Sequence, residues 1–178
     1  MKLSSEDAQL FYKLFFPLLD YVNEKRHVND LEDIAHATSL NPNDVAKVAH
    51  NLWDDPRIID DYLKDHSLDQ EEAEIVESWK HCVHSKFVIE RILKSGAMFI
   101  GMHDEVYKVL GTISELEDVF FYYPKPILLE TCLLPFKGKI ITDGLFFTFN
   151  VRVGPNARGD FKDIYMNAKR SGQIIDSL

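Results

Sequence analysis

Glu77, His81 and His84 fall at i, i+4 and i+7 in the stretch EIVESWKHCVHSKF. On one continuous helix that spacing lines them along a single face, where a fourth ligand from elsewhere would complete a metal site. No glutamate directly follows either histidine, so the His-Glu-x-x-His arrangement of a zinc hydrolase is missing. The competing reading is a set of half-buried polar groups at the edge of an amphipathic helix. A second set is cationic. Lys137 and Lys139 punctuate LLPFKGKIITDGLFFTF, and Arg152 and Arg158 follow it. Together with the backbone amides of glycine turns they could hold an anion. The plainer reading makes the lysines solvated turn residues around Gly138, because no phosphate-loop spacing is present. A third set is Asn43, Lys47, His50 and Asn51, side-chain types that can reach base edges or phosphates from a recognition helix.

Nucleophilic chemistry finds little support. There is no Gly-x-Ser-x-Gly elbow. Cys132 sits in the apolar run ETCLLPF and reads as core. Cys82 is next to His81, but adjacent positions on a helix point in different directions. The paired acids Asp54-Asp55 and Asp60-Asp61 read as solvated groups complementing helix dipoles rather than as a magnesium site. No catalytic residue is assigned, no cofactor is expected, and an enzyme is the less favoured class.

These residues must be positioned by elements of two kinds. Over residues 5–93 the apolar pattern is helical. Leu10, Leu14, Leu18 and Val22 recur at four-residue spacing behind a Ser4 or Ser5 cap, with Pro17 expected to bend or shorten that helix. Asn29 or Asp30 would cap a helix over about 31–38, and Asn41-Pro42 opens the next. In that helix pair Ile34, Ala35, Leu40, Val45 and Val48 fall where a helix-turn-helix wants its apolar contacts. The acids around it (Asp30, Glu32, Asp33, Asp44, Asp54 and Asp55) argue against a DNA-reading surface. The longest helix is expected over LDQEEAEIVESWKHCVHSKFVIERIL, with Asp69 as cap and Ile75, Trp79, Val83 and Phe87 on one stripe.

From Ser95 onward the pattern is that of strands: AMFIGM and VYKVLGT around a short polar connection, then ILLETCLLPF and LFFTFNVRV. SELEDVFF reads as one or two helical turns. Asp143-Gly144 is a turn or a bulge within a longer strand. The chain ends in a helix over about 157–170 with Gly172 as C-cap. The expected architecture is α+β: a helical region over 1–93, then a small, mainly antiparallel sheet with a C-terminal helix over 94–178, the two sharing one core.

Charge divides the chain unevenly. Residues 1–120 carry 12 Lys and Arg against 24 Asp and Glu, and residues 121–178 carry 8 against 5. The first part would repel bulk nucleic acid. Two cysteines far apart make no disulfide framework and fit a reducing compartment. The N-terminal stretch does not read as a signal peptide, and no run reaches the ~18 apolar residues of a membrane span.

HSLDQEEAEIVESWKHCVHSKFVIERIL, YKVLG at 107–111, LLPFKGKIITDG and the closing YMNAKRSGQIIDSL, taken together, resemble a family of uncharacterised bacterial proteins over about residues 55–178. The resemblance implies a bacterial, cytoplasmic protein and supplies no catalytic residue. The resulting expectation is a non-enzymatic cytoplasmic binding or regulatory module, with a protein partner or a second copy of itself and no membrane. The alternatives are a DNA-associated regulator using the 31–53 helix pair and a metal-assisted enzyme using Glu77, His81 and His84.

Overall fold

The computed structural model describes residues 1–37 and 39–178. The chain forms two compact units, one of Ser4–Cys82 and one of Met1–Leu3 with Val83–Leu178. No helix among the described residues is long and apolar enough to cross a membrane.

The first unit is helical. Helix α1 (Ser5–Arg26) starts at Ser4, whose Oγ accepts the Asp7 amide at 3.0 Å, and ends at His27 in the left-handed conformation. It runs on through Pro17, which does not shorten it. Its buried face places Phe11 and Phe15 against Trp79, with centroids at 5.5 and 6.1 Å, and Phe15 flat against Trp53 at 5.9 Å. Asn41 caps α2 (Pro42–Asp54), with proline in the first turn. Helix α3 (Ile58–Asp65) comes after Pro56. A capping box between Asp69 and Glu72 opens α4 (Gln70–Ser78), which closes in a single 3-10 turn, Trp79–His81.

The helix expected over 31–38 does not form. Residues 34–36 make a turn, and 31–33 and 37 are irregular; Thr38 lies outside the described residues. The physical reason is Asp20 on α1. Its two carboxylate oxygens accept the Ile34 and Ala35 amides at 2.6 and 3.0 Å, which fixes a loop where a helix would begin. The Asn23 amide holds the same loop by donating to the carbonyls of Asn29 and Leu31. The change from helix to strand also falls earlier than expected. Val83–Leu93 is strand β1, not the end of a long helix.

The second unit is a barrel. Its strands are β1, β2 (Gly96–Ile100), β3 (Val106–Leu110), β4 (Ile127–Phe136), β5 (Lys139–Thr142), and the short β6 (Phe147–Thr148) and β7 (Ile174–Ile175). The pairings are mainly antiparallel, with β3–β5 and β3–β7 parallel. Five strands close on themselves in the order β1-β2-β3-β5-β4-β1. Strand β1 makes closure possible by serving two neighbours. Residues 83–89 pair with β4 and residues 88–93 pair with β2, with Glu90 bulged between the Ile89↔Phe99 and Arg91↔Met98 pairs. The interior takes every second residue: Phe87, Ile89, Ala97, Phe99, Tyr107, Val109, Leu129, Leu133 and Ile140. The one-turn helix α5 (Leu116–Val119), between β3 and β4, adds Leu116 and, just past its end, Phe120 to that interior.

Two features of the stretch LLPFKGKIITDGLFFTF resolve here. Lys137 and Gly138 have φ of 48° and 70°, the signature of a two-residue type I′ hairpin between Phe136 and Lys139. Asp143-Gly144 is a bulge. Strands β5 and β6 run along the same edge of β4, and their registers differ by two residues. Asp143 stitches the gap: its Oδ1 accepts the Leu145 amide at 3.0 Å and the Thr131 hydroxyl at 3.3 Å.

Helix α6 (Pro155–Ser171) ends at Gly172, with φ 68°. It lies across the outside of β1, β2 and β3. Tyr165 and Ala168 pack there with Val88, Met98, Ile100 and Val106.

Candidate functional site

Each group of residues singled out in the sequence has a definite place. Glu77 is on α4 and pairs with Lys80 at 3.3 Å. His81 closes the 3-10 turn, and His84 is the second residue of β1, 3.8 Å from Glu130. The helical spacing that would have lined up Glu77, His81 and His84 ends at Ser78, so they share no helix face.

Asn43, Lys47, His50 and Asn51 all lie on α2, but the helix that would precede them in a helix-turn-helix is a turn. Lys47 is bound to Asp44 at 2.8 Å, and the Asn51 Oδ1 accepts from Arg26 at 2.9 Å.

Lys137 lies in the hairpin turn at the Phe136 end of β4, and Lys139 is the first residue of β5 after it. Arg152 and Arg158 come after β6, which pairs near the Ile127 end of β4. Seven residues of strand, roughly 23 Å, separate the two exits. The hairpin that carries Lys137 and Lys139 and the exit of β6 that leads to Arg152 and Arg158 therefore lie toward different ends of β4. Arg158 Nε donates to the Val153 carbonyl at 3.1 Å, and so helps fix the entry to α6.

A surface that none of these groups includes is the loop between α5 and β4. Phe120 anchors it, inside the barrel at 1% exposure, with its ring 5.0 Å from Phe146 and 5.8 Å from Tyr123. Once Phe120 is committed inward, the residues after it are left outside. Phe121 is 69% exposed, Tyr122 91% and Tyr123 44%. Phe121 and Tyr122 meet edge to face at 5.1 Å. Val119 and Ile113 are exposed on the neighbouring segments. The charges on this stretch are Glu115, Glu117, Asp118 and Lys125, with Lys125 3.8 Å from Glu117. The sequence signal for this surface is three consecutive aromatics at 121–123 and then Pro-Lys-Pro. A helical reading of SELEDVFF takes in the first aromatic, and a strand reading of ILLETCLLPF passes over the other two.

The outer face of β2 and β3 is covered in part by α6, and a cavity of about 590 Å³ opens beside the helix, lined among others by Val106, Ile164 and Asn167. Besides the α6 packing, Arg91 stacks over the Tyr165 ring at 4.1 Å while its Nη2 bonds Glu90 at 2.9 Å. The hydrogen bond to Glu90 holds the Arg91 guanidinium above its ordinary pKa. On the inner side, burial raises the Tyr107 phenol, with the Glu105 charge adding to it.

The five-strand ring, the parallel β3–β5 contact and the helix between β3 and β4 give this unit the connectivity of an OB-type barrel. Such barrels bind extended polymers across strands 2 and 3 and the loops beside them. In this chain α6 covers part of that face, packing on Val88, Met98, Ile100 and Val106. The chain shows no significant match to any protein-family model, curated protein or solved structure.

Proposed function

We propose that the protein is a non-enzymatic cytoplasmic binding module that docks a partner protein through residues 121–123. The observation that carries this reading is the exposure of Phe121, Tyr122 and Tyr123 side by side on a loop anchored by Phe120. Exposed aromatic clusters on a fixed backbone supply large contact area at low entropic cost, and such residues are enriched at the centres of protein interfaces. The neighbouring acids Glu115, Glu117 and Asp118 outnumber their two cations, Lys125 beside Glu117 and the Met1 amine beside Glu115, which disfavours a nucleic-acid backbone and selects a protein whose apolar pocket has a basic rim. A metal-assisted enzyme and a helix-turn-helix regulator have less support, because the residues each requires do not share the helix or helix pair it needs.

The test places a photo-crosslinking amino acid at Tyr122 and, as a control, at the exposed Lys162 on α6. A defined adduct specific to position 122 is expected. The identified partner, once purified, should bind the unmodified chain and lose about tenfold or more in affinity with Tyr122→Ala or Phe121→Ala. Equal adducts from both positions, or binding unchanged by both substitutions, would reject the reading. A second copy of the chain as the sole adduct, with a dimer in sedimentation, would replace a foreign partner with self-association.

A further inference from the structure

Strands β3 and β5 run parallel, with Val109 opposite Ile140 and Leu110 opposite Ile141. One residue back along both strands brings Lys108 beside Lys139. Tyr107, Val109 and Ile140 belong to the barrel interior, so strand alternation turns both lysines to the outer surface. Neighbouring strands are roughly 5 Å apart, and like charges set side by side at that spacing repel. Among the described residues neither lysine has a hydrogen-bond or ion-pair partner. Lys137, one turn residue away, does have a partner.

Lys108 and Lys139 both line a cavity of about 140 Å³, together with Leu110, Ile140, Gly138 and Asp176. Met1 completes the wall, with its amine 3.4 Å from Glu115. Asp176 is the one acid lining the cavity, and it makes no ion pair with either lysine among the described residues. Gly138 contributes a wall with no side chain, and a Cβ there would meet nothing within 4 Å. At ~30 Å³ per liquid water, the space holds a few waters that a tetrahedral oxyanion could replace.

We infer that Lys108 and Lys139 form a site for a phosphate group, each ammonium donating a charge-assisted hydrogen bond to a phosphate oxygen. Binding relieves the repulsion between the two lysines and replaces it with two attractions. The site is separate from residues 121–123 and does not depend on a protein docking there. It also regroups the cations: Lys139 acts with Lys108, not with Lys137, Arg152 or Arg158.

Phosphate can arrive as a free ion or ester, or as part of a nucleic-acid backbone. Amide NMR of the full chain, titrated with inorganic phosphate at constant ionic strength, tests the site directly. Saturable shifts confined to residues 108–110 and 137–140 are expected. Lys108→Gln and Lys139→Gln should each weaken binding by about tenfold, in line with the loss of one charged hydrogen bond. Asp176→Asn should strengthen it, and Lys137→Gln should leave it unchanged. A parallel titration with an oligothymidylate assigns the source. Binding that fails in the same two variants identifies a phosphodiester, and no binding identifies a terminal phosphate. Absence of saturation, equal shifts with chloride, or equal weakening by Lys137→Gln would overturn the site.

Discussion

Between Ser4 and Cys82 the chain carries 18 acidic residues against 7 basic ones, whereas Met1–Leu3 with Val83–Leu178 carry 11 against 13. The difference extends to how backbone groups are satisfied. In the helical unit, side chains do much of it. Ser4, Asn41 and Asp69 cap helices, and Asp20 and Asn23 hold a whole loop by its amides and carbonyls. In the barrel, strand pairing does it, and side chains intervene mainly at breaks in the ladder, as Asp143 and Thr131 do between β5 and β6. An acidic side chain is an acceptor suited to orphan amides, so part of the negative balance of the helical unit is structural. The barrel needs no such acceptors along its strands, and its cations are left for the outer surface.

This contrast predicts where each unit fails. The largest effect should come from the barrel interior. Phe99 is fully buried, with its ring 5.9 Å from Phe87. Phe99→Ala should cost roughly 3–5 kcal/mol, as cavities of this size do. Chemical denaturation followed by the strand signal in circular dichroism measures it. A loss below about 1 kcal/mol would mean the ring is not closed around a packed core. The helical unit should be most sensitive at a polar residue. Asp20→Ala leaves the Ile34 and Ala35 amides without their acceptor and should cost roughly 1–3 kcal/mol. Both tryptophans, Trp53 and Trp79, lie in this unit, so tryptophan fluorescence reads its unfolding. An unchanged midpoint would show that the 27–37 loop contributes nothing, and the contrast would lose its main support.

The same contrast explains what the sequence made legible. Caps are local, and Ser4, Asn41-Pro42, Asp69 and Gly172 all mark helix ends where the structure has them. The hairpin at Lys137-Gly138 is local too, and its positive φ values come from the glycine turn. The failures are non-local or ambiguous in period. Ile75, Trp79, Val83 and Phe87 are four apart, and a four-residue step satisfies both a helix and a strand, since four is twice the strand repeat. The branched and aromatic run Val83, Phe87, Val88, Ile89 and Ile92 was the better guide, and strand pairing with β4 decided it. The loop over 31–37 depends on Asp20, more than ten residues away, so no window around Ile34 contains its cause. The cationic residues were visible as types, but their grouping depends on the β3–β5 register, which joins Lys108 to Lys139 across an intervening helix and strand. The exposure of residues 121–123 results from Phe120 turning inward, a choice the barrel makes and the local sequence does not.

The smallest predicted effect concerns one polar contact within the helical unit, and it is read by pH. The Tyr21 hydroxyl donates to Asp65 Oδ2 at 2.8 Å. Burial first, and then this hydrogen bond, push the Tyr21 phenol from its ordinary 10 up to about 12. The same bond is the largest influence on Asp65 and holds its carboxyl below the usual range, with Lys25 helping at 3.7 Å. The two shifts act at opposite ends of the pH scale. A raised phenol stabilises the fold fully below its unfolded value near 10, and that contribution disappears as pH rises through about 12. A lowered carboxyl stabilises the fold above the ordinary carboxylate range, and its contribution disappears as pH falls through the folded value. Tyr21→Phe removes the hydrogen bond while keeping the ring that meets Tyr62 and His66, both at 5.3 Å. The unmodified chain should therefore exceed Tyr21→Phe in stability across neutral pH. The gap should narrow in strong alkali and again in acid. Denaturation midpoints by tryptophan fluorescence across the pH range measure it. A gap that stays constant from neutral pH to beyond the folded phenol's titration would show that the hydroxyl contributes through packing alone. Asp65 would then stand apart from the acids that hold this unit by accepting hydrogen bonds.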